Sequence, residues 1–410
     1  MNSSKVNKPS RDSTKVVHSG KEDVSIHRTV NTPVYRASTI LFKDTDEVEK
    51  AFEDAYGKSS DSPGVFKKVP FYGRKGNPTS WSLERALTEL ENGYDTVLTS
   101  SGLAAVTTSL FSFLKKGDHL LVTDTVYEPT RHFCDKVLRK YGIETTYYDP
   151  LIGEKISELI RSSTKVVFME SPGSHTFEIQ DVPGICKAIK SNKNQEIVTM
   201  IDNTWASPLY YKPLMHGVDL SIGSCTKYVV GHSDVMLGSI TSVEKHFPKL
   251  WHTRQLLGVS ASPDDVYLAT RGLRTLSVRM QKHQENALII AEWLSSREEI
   301  EKVFYPPLKD DPGNKIWKRD FLGAGGLMSF ALKNVEENAV NRMINGMKYF
   351  SLGFSWGGYE SLICASYPSK SRTATNWKFN EPGIRIHVGL EDPEDLINDL
   401  EAGFKRLHKS

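Results

Sequence analysis

Apolar side chains recur along this chain at two periods. Leu83, Ala86, Leu87 and Leu90 fall at helical spacing and stop at Asn92-Gly93, and Leu103, Val106, Leu110 and Leu114 do the same before Lys115-Lys116-Gly117. Each set predicts an amphipathic helix. Short apolar runs of strand length stand between and after them: "HLLVTD" at 119–124, "ETTYYD" at 144–149, "KVVFME" at 165–170, "EIVTMID" at 196–202 and "DLSIGS" at 219–224. Helical stretches separate most of these runs, which predicts an α/β fold: a mainly parallel sheet with helices on both faces and ligands at the carboxyl ends of its strands. The first seventy or so residues show little sustained periodicity and read as an arm that packs on something larger. After about residue 270 the pattern changes to a long polar helix from Ser277 to Trp293, a Tyr305-Pro306-Pro307 stretch, glycine clusters at 323–326 and 357–358, and "GIRIHVGLED" near the end. That portion reads as a smaller α+β C-terminal domain. The expected division is an arm at 1–76, a ligand-binding α/β domain at 77–272 and the α+β domain at 273–410.

Charge adds little direction. Fifty-two Lys and Arg against fifty Asp and Glu leave +2, so no excess points to nucleic acid or a membrane surface. Cys134, Cys186, Cys225 and Cys364 are far apart and form no CxxC pair, which argues against a disulfide framework and a zinc ribbon. The first thirty residues lack the apolar core of a signal peptide, and no run approaches the length of a membrane span, so the expected location is cytoplasmic. With no HExxH and no Cys/His spacing, no metal is expected. The glycines of "LGAGGLMSF" precede a strand-like run instead of opening a helix, the wrong context for a nucleotide loop.

Candidate chemistry gathers at the predicted strand ends. In "SIGSCTKYVVGHSDV", at 221–235, Lys227 follows a strand and lies beside Ser224 and Thr226. A lone lysine there is ordinarily a surface charge, but lysine also forms Schiff bases with an aldehyde cofactor, and hydroxyls nearby suit that cofactor's phosphate. Such a site makes three further demands. "TSSGLAAV", at 99–106, offers a helix start whose backbone N–H groups favour an anion, though a plain Ser cap reads equally well. Asp202 in "MIDNTWA" ends an apolar strand and offers a carboxylate for a pyridine nitrogen; the alternative is a helix cap or Asx turn. A buried carboxylate is costly unless paired, so a cationic partner is expected. Tyr127 in "DTVYEPT" offers an aromatic platform, and Arg385, alternating with Ile384 and Ile386, offers a bidentate fork for a substrate carboxylate. Together these features point to pyridoxal 5'-phosphate.

The chain resembles the cystathionine-type Cys/Met metabolism enzymes from about residue 13 to 407. The resemblance is carried by "YGRKGNPT" at 72–79, "YEPTRHFC" at 127–134, "ESPGS" at 170–174, "IDNTWA" at 201–206, "TKYVVGHSD" at 226–234, "RGLRTLSVR" at 271–279, "SWGGYES" at 355–361 and "IRIHVGLED" at 384–392. It implies the aspartate-aminotransferase-like fold of pyridoxal-phosphate enzymes. It also implies that Lys227 is the Schiff-base lysine, Asp202 the pyridinium partner and Tyr127 the ring platform, with Gly102, Leu103, Ser224 and Thr226 on the phosphate. Arg385, Ser355 and Trp356 would hold the substrate carboxylate. Tyr72 and Arg74 would reach the neighbouring subunit's phosphate, implying a homodimer with shared sites, usually paired into a tetramer.

Smaller marks point to the β-eliminating branch. Members acting at the γ-carbon typically show Tyr-Gly-Gly at Tyr127-Glu128-Pro129, and Leu-Gly-Gly at Phe354-Ser355-Trp356. The implied reaction is conversion of L-cystathionine to homocysteine, pyruvate and ammonia, within methionine biosynthesis. Alternatives are γ-lyase or γ-synthase activity, β-elimination of cysteine or another thioether, and, remotely, a non-catalytic cofactor-binding regulator.

Overall fold

The computed structural model describes residues 10–21, 28–56, 68–191 and 196–407. A seven-stranded sheet has the order β1-β7-β6-β5-β4-β2-β3. Its strands are β1 (Asp95–Thr99), β2 (His119–Thr123), β3 (Glu144–Tyr148), β4 (Thr164–Glu170), β5 (Val198–Asp202), β6 (Leu220–Ser224) and β7 (Gly238–Ser242). β7 runs antiparallel to both its neighbours, and the remaining pairs, from β6 to β3, are parallel. Six strands therefore end on one edge of the sheet.

Two apolar clusters account for the layering. Leu120, Val122, Val166, Phe168, Met200 and Ile222 pack with Ala105, Val106 and Leu110 of the helix Gly102–Phe113 on one face. Leu121, Val167, Met169 and Ile201 point the other way, into a cluster with Ile185 and Ile189 of the helix Val182–Ser191, which continues into the C-terminal portion. A strand buried on both faces reads as a continuous apolar run, as "HLLVTD", "KVVFME" and "EIVTMID" do, whereas β3 at the sheet edge is half-exposed.

β1 and β7 escaped that reading. "DTVLT" and "GSITS" are rich in hydroxyls, yet Thr96 and Thr241 are buried because their Oγ1 atoms bond each other at 2.8 Å, with Thr88 Oγ1 2.7 Å from Thr96 Oγ1. A buried hydroxyl satisfied by another hydroxyl carries no desolvation penalty that would mark it in the sequence. The arm also holds more order than its composition suggested: the helix Thr45–Tyr56 places Val48, Ala51, Phe52 and Ala55 at spacing i, i+3, i+4, i+7.

A second sheet of five strands has the order β10-β11-β12-β9-β8, with β8 (Ile300–Phe304), β9 (Leu327–Leu332), β10 (Ser351–Leu352), β11 (Leu362–Ser366) and β12 (Gly383–His387). The long helix Leu276–Ser295 precedes it. The boundary expected at 272/273 falls inside the helix Pro263–Arg274, between the two sheets. Asp124, just past β2, ties the portions together. Its carboxylate accepts from the N–H groups of Thr373, Ala374 and Thr375 and from Arg131 Nη2 at 2.8 Å, which holds its pKa below the usual range despite burial.

Candidate active site

The carboxyl edge of the large sheet and the start of the small one meet around Lys227. Thr226 and Lys227 leave β6, and the chain returns through Leu237 into β7. Thr226 N–H and Oγ1 both donate to the Leu237 carbonyl at 3.1 Å, and Leu237 N–H donates back to Thr226 Oγ1 at 2.9 Å. Cys225 turns into the core, where its Sγ lies 3.3 Å from Ser239 Oγ and burial pushes its thiol up to about 12. The turn that follows β6, closed by the Lys227 N–H on the Ser224 carbonyl at 3.1 Å, sends Cys225 inward and Lys227 into the cleft.

Lys227 Nζ donates to Ser355 Oγ at 2.6 Å and lies 5.4 Å from the centre of the Trp356 ring. Ser355 has φ 91°, a conformation that disfavours a side chain, and Gly357 has φ 87°. A Cβ on Gly357 would sit 3.0 Å from the Lys227 backbone, so this turn closes directly on the lysine. The Gly357 N–H donates to His387 Nε2 at 3.1 Å, and Arg385 Nη2 reaches the Ser355 carbonyl at 3.4 Å. β12 thus fixes the turn and presents its guanidinium beside it.

Burial, then the Arg385 charge, lower the Lys227 pKa to about 8, with Asp202 opposing. The neutral amine therefore predominates above pH 8, where an ordinary lysine, near about 10.4, is still ammonium. In the cofactor-free protein, the rate at which Lys227 condenses with an aldehyde should climb through about pH 8 and level off above it. Stopped-flow absorbance with pyridoxal phosphate reads this, and a rate still rising tenfold per unit beyond pH 9 would remove the shift.

Asp202 ends β5. Its Oδ1 accepts the Thr204 N–H at 2.9 Å, and Thr204 Oγ1 in turn accepts the Ser224 N–H at 2.9 Å. Among the described residues no Lys, Arg or His lies within ion-pair distance of Asp202; Lys227 acts on it only from further off, and burial raises its pKa. The cationic partner expected from the sequence is therefore not a protein side chain in contact with it. Tyr127 stands where the helix Glu128–Lys136 begins, 47% exposed, its pKa raised by burial and by Asp202 and Glu170, with Arg385 opposing.

After β1, Ser101 caps the helix Gly102–Phe113 by accepting the Ala104 N–H at 3.1 Å. That leaves the Gly102 and Leu103 N–H groups at the helix start with no acceptor among the described residues. A Cβ on Gly102 would fall 2.6 Å from both Ser224 Cβ and Oγ, so two donor groups converge there only because residue 102 is glycine. Gly102→Ala should therefore weaken binding of a phosphorylated cofactor about tenfold or more, read by fluorescence titration of the cofactor-free protein. An unchanged affinity would remove this cradle.

Tyr72 and Arg74 sit elsewhere. Tyr72 forms an isolated bridge with Thr39, and Arg74 Nη1 donates to the Gln255 carbonyl at 2.7 Å, so the chain does not bring them to its own Lys227. Three polar residues at the site had no role in the sequence reading: Glu170, Thr204 and His175. His175, whose Nδ1 lies 2.9 Å from Ser366 Oγ, is pushed down to about 4 by burial and by Arg385, and so is neutral beside that guanidinium.

A family model described as Cys/Met metabolism PLP-dependent enzyme matches residues 13–405. The chain belongs to that family. It is 42% identical to the cystathionine β-lyase of Escherichia coli, over 96% of this chain and 98% of that one. It is 40% identical to an L-alanine/L-glutamate racemase of Wolbachia pipientis, over 96% of each. A crystal structure of cystathionine γ-synthase from Xanthomonas oryzae, in complex with aminoacrylate and cysteine, superimposes with a TM-score of 0.86 at 32% identity over 98% of this chain and 99% of that one. The protein is a pyridoxal-phosphate enzyme of the carbon–sulfur lyase type acting on a small amino acid. Two observations fit that cofactor independently of the match: the paired donors at Gly102 and Ser224, and a carboxylate, Asp202, with no protein cation in contact.

Proposed function

We propose that this enzyme eliminates across the Cα–Cβ bond of L-cystathionine, releasing homocysteine, pyruvate and ammonia. The observation that carries the reading is Phe354-Ser355-Trp356 closed over Lys227, with Ser355 Oγ 2.6 Å from Nζ, where members acting at the γ-carbon typically show Leu-Gly-Gly. Identity to a β-lyase over nearly the whole chain supports it.

The Gly102 and Leu103 N–H groups with Ser224 and Thr226 would hold the phosphate. Thr226 would do so with a hydroxyl already engaged by Leu237. Tyr127 would cover the ring and Asp202 would keep a proton on its nitrogen. Pyridoxal phosphate, when bound, supplies a sink for the electron pair left at the substrate Cα. Arg385 would grip the substrate carboxylate with its fork, beside Ser355 and Trp356, and so aim the Cα–H bond. Lys227 Nζ, neutral near pH 8 and held by Ser355 Oγ, takes the Cα proton. The Cβ–S bond breaks, the thiolate takes a proton from Lys227 or from the Tyr127 hydroxyl, and homocysteine leaves. The three-carbon enamine then hydrolyses to pyruvate and ammonia.

We also assign the enzyme to the cytoplasm and to homodimers with shared sites, paired into tetramers. Arg74 bonded at Gln255, away from Lys227, supports sharing, as do Leu41, Val48 and Phe52 of the arm, which are 89%, 41% and 52% exposed in the single chain. No helix among the described residues is long and apolar enough to cross a membrane.

The deciding experiment incubates the holoenzyme with L-cystathionine and identifies the products. Pyruvate with homocysteine supports the proposal. 2-Oxobutyrate with cysteine overturns it in favour of γ-cleavage. D-Alanine formed from L-alanine, with no cystathionine cleavage, overturns it in favour of the racemase named among its relatives.

A further inference from the structure

One buried carboxylate at the site has no part in the chemistry so far. Glu170 ends β4 and pairs in register with Asp202 at the end of β5. Partners in a parallel pair lie on the same face of the sheet, so two carboxylates stand side by side on one rung. Glu170 is 8% exposed, and among the described residues no cation lies within ion-pair distance of it.

What Glu170 does touch is specific. Its Oε2 accepts the Tyr127 backbone N–H at 2.7 Å, and its Oε1 lies 2.6 Å from Ser174 Oγ. Its own carbonyl accepts from Gln180 Nε2 at 2.8 Å, so its backbone is anchored too. Tyr127 opens its helix without a side-chain cap bond, which leaves the Glu170 carboxyl as the contact that fixes where its main chain turns. The aromatic platform is thus held from behind by a side chain 43 residues away.

The charge state follows from the surroundings. Two adjacent unpaired anions in a buried place repel, and one of them keeps its proton. Asp202 adds negative charge directly beside it, while Arg385 and Lys227 bear on Tyr127 and Asp202 instead of touching Glu170. Burial raises both members of the pair. Lys227 bears on Asp202 and favours the charge there, while burial, then Asp202, raise Glu170 to about 8 against hydrogen bonds from Ser174 and the Tyr127 N–H, and the proton is assigned to Glu170 on that asymmetry. As the neutral acid its carbonyl oxygen still accepts the Tyr127 N–H, and its O–H donates to Ser174 Oγ.

We propose that Glu170 is a positioning residue that works as the uncharged acid: it fixes the Tyr127 platform through that residue's N–H and leaves Asp202 the only anion facing the cofactor's ring nitrogen. The inference rests on the cofactor site in the proposed function, and its readouts do not depend on which thioether is cleaved.

Glu170→Gln and Glu170→Ala are the informative pair, since an amide reproduces the neutral acid's shape and accepts the same N–H. Cofactor-free protein is titrated with pyridoxal phosphate, and the infrared spectrum of the holoenzyme is compared with that of the Gln variant. The Gln variant should bind the cofactor within about threefold of wild type, and the Ala variant about tenfold or more weakly, the loss of a buried acceptor. A protonated-carboxyl band present in wild type should be lost from the Gln variant at neutral pH, apart from the contribution of buried Glu91, whose pKa burial raises to about 7. Equal, large losses in both variants, or no band lost from the Gln variant, would show that the charge is used and overturn the proposal. Unchanged affinity in the Ala variant would overturn the positioning role. Should the Ala variant fail to fold, the Gln titration and the infrared band still decide. Loss of cystathionine cleavage alone, with these readouts as expected, would count against the substrate and not against Glu170.

Discussion

Lys227→Ala should reduce turnover by about 10⁴-fold while leaving pyridoxal phosphate bound. The size follows from what Nζ does alone. It is hydrogen-bonded to Ser355, with a pKa of about 8 that makes it a competent base near neutrality, a value set by burial, then Arg385, with Asp202 opposing. The phosphate donors at Gly102 and Ser224 and the Asp202 carboxylate do not depend on it, so binding survives through them. Keto-acid release measured beside the visible absorbance of the dialysed variant separates the two quantities. Turnover within roughly tenfold of wild type, with cofactor retained, would mean that another group takes the Cα proton.

Asp202→Asn should lower kcat by about 10²- to 10³-fold at saturating cofactor. Asparagine keeps the volume and still accepts the Thr204 N–H, so the turn that also orders Ser224 is preserved. What is lost is the negative charge, held in a buried place where no protein cation offsets it in contact. An amide cannot hold a proton on the ring nitrogen, and the electron sink weakens accordingly. Steady-state rates across a cofactor titration distinguish this from weaker binding, and near-normal kcat at full occupancy would overturn the assignment.

Much of this arrangement was legible before any coordinates. The runs that became β2, β4 and β5 are buried on both faces, and continuous apolar stretches announce that directly. Lys227, Asp202 and Tyr127 could be singled out because each follows such a run, where an open α/β sheet gathers its ligands. What stayed hidden depends on contacts remote in sequence. Glu170 stood at the end of "KVVFME" and the start of "ESPGS" with no role of its own, because its meaning comes from Tyr127, 43 residues earlier, and Asp202, on the next strand. The Thr88, Thr96 and Thr241 hydroxyls disguise two core strands as polar ones. The positive φ of Ser355 belongs to residue types that seldom adopt it, and only the turn against Lys227 explains it.

The three hydrogen bonds between Thr226 and Leu237 close the neck of the excursion that carries the chain from β6 to β7. Lys227 is the first residue inside that neck. Lengthening the chain between Val235 and Leu237 would displace the return into β7 and with it Lys227. At the far end, beyond the turn at Gly231, His232 lies against the Tyr359 ring and Ser233 Oγ donates to Glu360 at 2.5 Å, so the tip packs on the segment that continues from the turn over Lys227. An insertion at either end of the excursion would therefore be felt at the catalytic amine, at the neck through β7 and at the tip through the turn that Ser355 and Gly357 close over it.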